Sequence, residues 1–251
     1  MINYKEKSLV ILPHLDDEFA LVPILKKFSK YSEINKIKFL FCCERRKENN
    51  EKLFKRRIEN INSLKFFNIK RKQIIYLNDY YFSNDLEISK NFKEIIKVIN
   101  MLYEYSKFSQ ILTLAFEGGH PDHDALALIV KKFVNNKNIK IYFFPAYNYQ
   151  SNFLIPFTIL KPLKSQKHLF KFLKISKFCW IRSLKIAIIY KSEYKAFLKL
   201  VPFLIYNTIF VDGIYFANRI EINSVDWEKS LSKRRYKKTK EEITKLLGNK
   251  V

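Results

Sequence analysis

The sequence predicts an α/β fold, a three-layer sandwich with a mostly parallel central sheet. Three observations predict it. Up to residue 145, short apolar runs alternate with longer amphipathic ones. No internal repeat and no Gly- or Ser-rich linker breaks that order, which suits one domain over residues 1–251. The two segments densest in histidine and carboxylate both begin where an apolar run ends. Strand–helix alternation builds a parallel sheet through right-handed crossovers, with helices on both faces. Sites in such Rossmann-like sheets form at the carboxyl ends of strands, near the point where strand order reverses.

The elements follow in order. Residues 8–12 (SLVIL) read as a strand, 17–30 as a helix and 36–43 (KIKFLFCC) as the next strand. Residues 50–67 are helical, with Leu53, Ile58, Ile61 and Leu64 near helical spacing. A third strand is expected at 73–77, a third helix at 87–106, and strands at 110–116 and 140–144 flank a helix beginning near His123. Residues 146–222, rich in Phe, Lys and Ile, are expected to supply covering loops and one or two strands. The basic tail, 229–251, has a helical pattern; it reads as a solvated terminal helix, with a dedicated anion-binding arm as the alternative.

Composition narrows the setting. The 251 residues carry 47 Lys+Arg against 24 Asp+Glu, a formal charge of +23. That excess favours polyanionic surroundings such as nucleic acid, anionic lipid or an acidic substrate. Abundant Lys, Asn, Ile, Phe and Tyr also accord with AT-rich codon usage. Cys42, Cys43 and Cys179 form neither a disulfide framework nor a zinc-knuckle spacing, and they fit a reducing compartment. The apolar run before Pro13 is too short for a signal peptide, and Lys199, Pro202, Asn207 and Asp212 break the apolar stretch near 197–214. The expectation is a cytoplasmic protein with peripheral contact at the inner face of a membrane.

The rare residue types are unevenly placed. Three of the four histidines fall in two short segments, His14 in PHLDDE and His120 and His123 in EGGHPDHDAL. Two of the four glycines, Gly118 and Gly119, immediately precede His120, where the chain needs a permissive backbone. Alone, Asp16, Asp17 and Glu18 would be acids at a helix N-terminus, and HPDHD a turn entering a helix with Asp122 as its cap. Together the segments point to a metal site. Imidazole and carboxylate suit Zn²⁺, and the His14–Asp17 spacing lets a loop residue and a helix-start residue converge on one ion. His123 can add a third ligand, leaving Asp16 and His120 for proton transfer beside a bound water.

These segments resemble the signature of the PIG-L/LmbE-like zinc-dependent N-deacetylases, which carry H-P-D-D-E after the first strand and H-P-D-H-x-A after a later one. Here they read HLDDE (14–18) and HPDHDA (120–125), with Leu15 in place of the proline. Two weaker stretches also fit. RRIENINSLKFFN is similar to the family's R-x-x-E-x-x-x-A helix through Arg56 and Glu59, with Ser63 for Ala. KIAIIYKSE (185–193) is similar to a later segment ending in Ser-Gln, with Glu193 for Gln. Glu44 and Arg45 stand where a Gly-Glu element often follows the second strand.

The resemblance implies that His14, Asp17 and His123 bind zinc, or Fe²⁺ or Mn²⁺ in its place. Asp16 is then the general base, and His120 stabilises the oxyanion and helps protonate the leaving amine as a cationic imidazole. Arg56 binds substrate, and Glu18 and Asp122 support the ligands from behind. The implied substrate is an N-acetylglucosamine-type amino sugar, phosphorylated or lipid-linked, in glycan, glycolipid or nucleotide-sugar metabolism. Two alternatives stand beside it: a binding protein for nucleic acid or anionic membrane on a deacetylase-like scaffold, and a zinc hydrolase of another amide or ester. No nucleic-acid motif favours the former.

Overall fold

The computed structural model describes residues 2–30, 33–44, 50–81, 83–135, 137–150 and 158–248. Strand β1 (Ser8–Leu12) leads through a short 3-10 turn into α1 (Val22–Lys30), then β2 (Ile37–Phe41) and α2 (Asn50–Lys65). Next come β3 (Ile74–Tyr76), α3 (Phe92–Ser106), β4 (Gln110–Leu114), α4 (Pro121–Val134) and β5 (Lys140–Phe144). A two-strand ribbon, β6 (Tyr147–Asn148) with β7 (Thr158–Ile159), precedes β8 (Phe170–Lys174). Helices α5 (Ile181–Ile189) and α6 (Tyr194–Phe210), strand β9 (Gly213–Ala217) and the short helices α7 (Leu231–Arg234) and α8 (Lys240–Thr244) complete the chain.

Seven strands form one sheet in the order β3-β2-β1-β4-β5-β9-β8. The first five are parallel, and β9 and β8 add an antiparallel edge. Both faces are covered, so β1 is apolar throughout. Val10 and Leu12 pack with α1, α2, α5 and α6, whereas Leu9 and Ile11 pack with α3, α4 and the C-terminal segment. Strand order reverses between β1 and β4, and the two histidine segments follow those two strands. The expected α/β sandwich is therefore the observed one, with the histidines at its switch point.

Three segments differ from expectation. Helix α3 begins at Phe92 rather than 87, because residues 83–91 are tied down as a loop. Leu86 adopts φ 66°, and Asp122 accepts bonds from the backbone N–H groups of Leu86 (2.7 Å) and Ile88 (3.2 Å). Residues 146–222 hold two helices besides the strands; α6 escapes a periodicity reading because it is apolar nearly all round and contains Pro202. Residues 151–157 of that region lie outside the described residues. The tail is not a solvated helix. It folds back in two short helices, burying Ser230, Ser232, Ile243 and Leu246, and residues 249–251 lie outside the described residues.

Candidate active site

The loop after β1 is shaped by its own side chains. His14 donates its backbone N–H to Asp17 Oδ2 (2.9 Å), and the same oxygen lies 3.0 Å from His14 Nδ1. Leu15 is buried, and its carbonyl accepts bonds from Asn60 Nδ2 (2.5 Å) and the Tyr190 hydroxyl. A leucine thus fills the family's proline position without loosening the turn.

The loop after β4 needs its glycines. Gly118 adopts φ +67°, and a Cβ on Gly119 would lie 1.9 Å from the Tyr147 carbonyl oxygen. Buried Asp124 accepts the N–H groups of Glu117 and Gly118 (both 2.9 Å), and its other oxygen accepts the Ser232 hydroxyl (2.7 Å). His120, not Asp122, caps α4, with Nδ1 accepting the Asp122 N–H at 3.2 Å and Pro121 at the first helical position.

These loops meet. Asp17 Oδ1 lies 3.3 Å from His123 Nε2 while Oδ2 holds His14, so His14, Asp17 and His123 are brought together as the sequence predicts. His120 joins them: one ring nitrogen from each of His14, His120 and His123 lies within 4.8 Å of the others. His14 Nε2 also faces Asp122 Oδ2 (3.2 Å) and Asp85 Oδ1 (3.0 Å). Nitrogen and carboxylate donors converging on one largely buried point fit a borderline divalent ion such as zinc.

Charge and burial set the protonation states. Burial works against ionising Asp17, yet His123 and His14 beside it hold its carboxyl well below the usual range. Burial also opposes a charge on His14, but Cys43, Asp17 and Asp122 raise its pKa well above the ordinary value. His120 goes the other way: burial, then the neighbouring His14 and His123, push it well below the usual imidazole range. With Nδ1 already an acceptor, neutral His120 carries its proton on Nε2.

The remaining candidates divide. Asp16 is partly exposed at the edge of the cluster, with Arg56 Nη2 3.9 Å from its Oδ1. Arg56 is buried and pairs through Nη1 with Glu193 (3.3 Å), which places it behind Asp16. Asp122 lies beside His14, with Oδ2 3.2 Å from Nε2, in the same cluster as Asp85 and His120. Glu18 turns elsewhere, accepting a bond from Ser63 Oγ (2.5 Å) and lying 2.7 Å from the Tyr190 hydroxyl, whose one proton goes to the Leu15 carbonyl, because its helical turn points it at α2 and the end of α5. Burial raises its pKa to about 8. Glu44 is buried in a bidentate pair with Arg57 (2.6 and 2.7 Å), and Arg45 lies outside the described residues.

Three contributors escape the sequence. Asp85 sits in an undistinguished loop and reaches His14 only because Asp122 pins that loop. Tyr236, from the tail, lies edge-on against His120 (ring centroids 4.5 Å), and Tyr147 lies against His123 (5.2 Å). An aromatic in a lysine-rich tail carries no signal of its own.

The family model for GlcNAc-PI de-N-acetylases, PIG-L, matches residues 9–134, half of the chain and both histidine segments. A search of curated proteins finds no match. Among solved structures, a deacetylase of the teicoplanin biosynthesis pathway is 12% identical, with 84% of this chain and 96% of that chain covered and a TM-score of 0.54. The N,N'-diacetylchitobiose deacetylase of Pyrococcus horikoshii is 17% identical over 85% and 82%, also at 0.54. A conserved protein of Thermus thermophilus is 15% identical over 86% and 95%, at 0.55. At such identities these neighbours establish a shared fold.

Proposed function

Because the chain belongs to the GlcNAc-PI de-N-acetylase (PIG-L) family, we propose that it is a metal-dependent N-deacetylase. Its substrate is an N-acetylglucosamine-type amino sugar, and hydrolysis gives acetate and the free amine. The observation that supports this most is the convergence of His14, Asp17, His120 and His123, from two loops, at the switch point of the sheet.

Zinc is the proposed metal, held by His14, Asp17 and His123, with Fe²⁺ or Mn²⁺ as substitutes. When bound, it would polarise the amide carbonyl and lower the pKa of water. Asp16, at the exposed edge, takes the proton of the attacking water, and Arg56 orients its carboxylate from behind. His120 donates Nε2–H to the oxygen on which negative charge develops. That donation needs no imidazolium, which suits a ring flanked by two others. As the C–N bond breaks, the proton held by Asp16 passes to the departing amine. Arg56 acts here as a positioning residue, since burial keeps it from the sugar.

Deacetylases acting on teicoplanin-pathway and chitobiose substrates share the fold, which supports a sugar amide without choosing the carrier. A zinc-inhibited form of teicoplanin deacetylase is also among them. Zinc is therefore titrated in the test rather than added in excess. The test is acetate release from a panel of N-acetyl sugars, free, nucleotide-linked and lipid-linked, after chelation and after stepwise return of zinc. Activity that vanishes on chelation and returns near one equivalent supports the reading. Chelator-insensitive release, or hydrolysis of esters alone, overturns it.

A further inference from the structure

Helices α5 and α6 pack against each other on one face of the sheet and leave a broad apolar surface outward. On α6, Tyr194, Leu198 and Ile205 recur at helical spacing and form one stripe. Phe197, Leu204 and Asn207, on the opposite side, face the core. Ile181 and Ile188 do the same on α5, and Phe210 ends the surface. Ile188 is 72% exposed, Phe210 67% and Leu198 63%. Scattered apolar residues are ordinary on protein surfaces, but a face this continuous marks an interaction site.

The charges around it are mostly positive, and the exposed Asp212 just beyond Phe210 is paired with Lys174. Between Ser176 and Val211 the only carboxylate is Glu193, and it is buried against Arg56. Lys185, Lys191, Lys195 and Lys199 are all exposed. Beside Ile188 a shallow, open depression of about 560 Å³, lined by Asn62, Lys65, Phe66, Ile188, Ile189 and Lys191, lies between α2 and α5. No helix among the described residues is long and apolar enough to cross a membrane.

We propose that the α5–α6 face seats the protein on an anionic lipid bilayer. Its apolar side chains enter the acyl boundary, and its lysines meet the headgroup phosphates. The depression beside Ile188 is wide enough and apolar enough to admit part of an acyl chain. The lysine excess argues against a second copy as the occupant, because an isologous pair would oppose two sets of Lys185, Lys191, Lys195 and Lys199, while Asp212 at the end of the face already pairs with Lys174. The face borders the site, since Tyr194 follows Glu193, the partner of Arg56. The surface stands independently of the reaction proposed above.

The experiment is flotation of the full chain with vesicles of phosphatidylcholine alone or of equal parts phosphatidylcholine and phosphatidylglycerol. The wild type is expected to float with the anionic vesicles, and less so as salt rises. Leu198→Glu combined with Phe210→Glu should lower the bound fraction by about tenfold or more. Changing Lys185, Lys191, Lys195 and Lys199 to Gln should remove the preference for phosphatidylglycerol. Tyr105→Glu, at a still more exposed aromatic on α3, should float like the wild type. A wild type that stays with the soluble fraction overturns the proposal, as does equal flotation of the Leu198/Phe210 variant. A lipid-independent dimer that the same variant dissociates would assign the face to a second copy instead. Thermal melts check folding, and the lysine variant keeps the test open if the glutamates disturb α6.

Discussion

Asp17 Oδ1 lies 3.3 Å from His123 Nε2, and this contact joins the loop after β1 to the first turn of α4. The other Asp17 oxygen is committed to His14 at 3.0 Å. One carboxylate therefore sets the spacing of two imidazoles that leave different strands. Asp17→Asn keeps the volume but replaces one acceptor by a donor. It is expected to weaken zinc binding by at least about a hundredfold, the upper range for losing even an outlying support of a metal ligand. Calorimetric titration of the apo protein checks this. Unchanged affinity would remove Asp17 from the ligand set.

Asp16 is placed for a different task, at the edge of the cluster with Arg56 behind it. Asp16→Asn should leave bound zinc at the wild-type level and lower kcat by about a hundredfold to ten-thousandfold. Metal analysis alongside acetate release separates the two neighbouring aspartates. Joint loss of metal and activity would instead make Asp16 a ligand.

Arg56 and Glu193 form a buried pair, so removing Arg56 takes a counter-charge from a carboxylate held inside the fold. Arg56→Met should cost about 3–5 kcal/mol of stability, and adding Glu193→Gln should restore much of it. Denaturant melts of the two single variants and the double variant give the coupling. A near-zero coupling would mean that the 3.3 Å contact carries no energetic weight.

The strand ends and both histidine segments are legible in the sequence because their signals are local: an apolar run, then a cluster of rare polar types. The stretches containing Arg56, Glu59 and Ser63, and Tyr190, Ser192 and Glu193, look weak because each is only half of a network. In the fold, Ser192 bonds Glu59, Arg56 pairs with Glu193, and Ser63 and Tyr190 share the Glu18 carboxylate. Pairwise complementarity of that kind has no periodicity, so neither segment declares it alone. Glu18 shows the limit from the other side. Adjacency to Asp17 suggests a shared task, but one step along the 3-10 turn rotates a side chain by about 120° and sends it into α2 instead. Asp85 and Tyr236 are long-range arrivals that only the tertiary structure delivers.

Gly119 is a point where backbone geometry limits the site. A Cβ there would lie 1.9 Å from the Tyr147 carbonyl oxygen, a rigid atom that β6 holds in place. Gly119→Ala must therefore push the loop before His120 away from β6. The expected cost exceeds about 2 kcal/mol, with lower metal occupancy as His120 and His123 shift. A variant as stable and as well loaded as the wild type would show that the loop relaxes freely.

Glu117, next to that loop, should make stability depend on pH. Burial raises its pKa from 4.5 to about 8, against the bonds it accepts from the Ala146 N–H and Asn148 Nδ2. In the unfolded chain the carboxyl ionises near its ordinary value, whereas in the fold it stays protonated until about 8. The stabilising contribution is therefore complete below about pH 4.5, declines as pH rises, and is lost above about pH 8. Glu18, raised to about 8 by burial, adds a second contribution of the same sign. Urea midpoints measured from about pH 5 to about pH 8 should fall with rising pH. Glu117→Gln should flatten part of that slope, leaving the shares due to Glu18 and to Asp124, which burial raises to about 6. A Glu117→Gln slope equal to that of the wild type would show that Glu117 ionises as readily in the fold as in the unfolded chain.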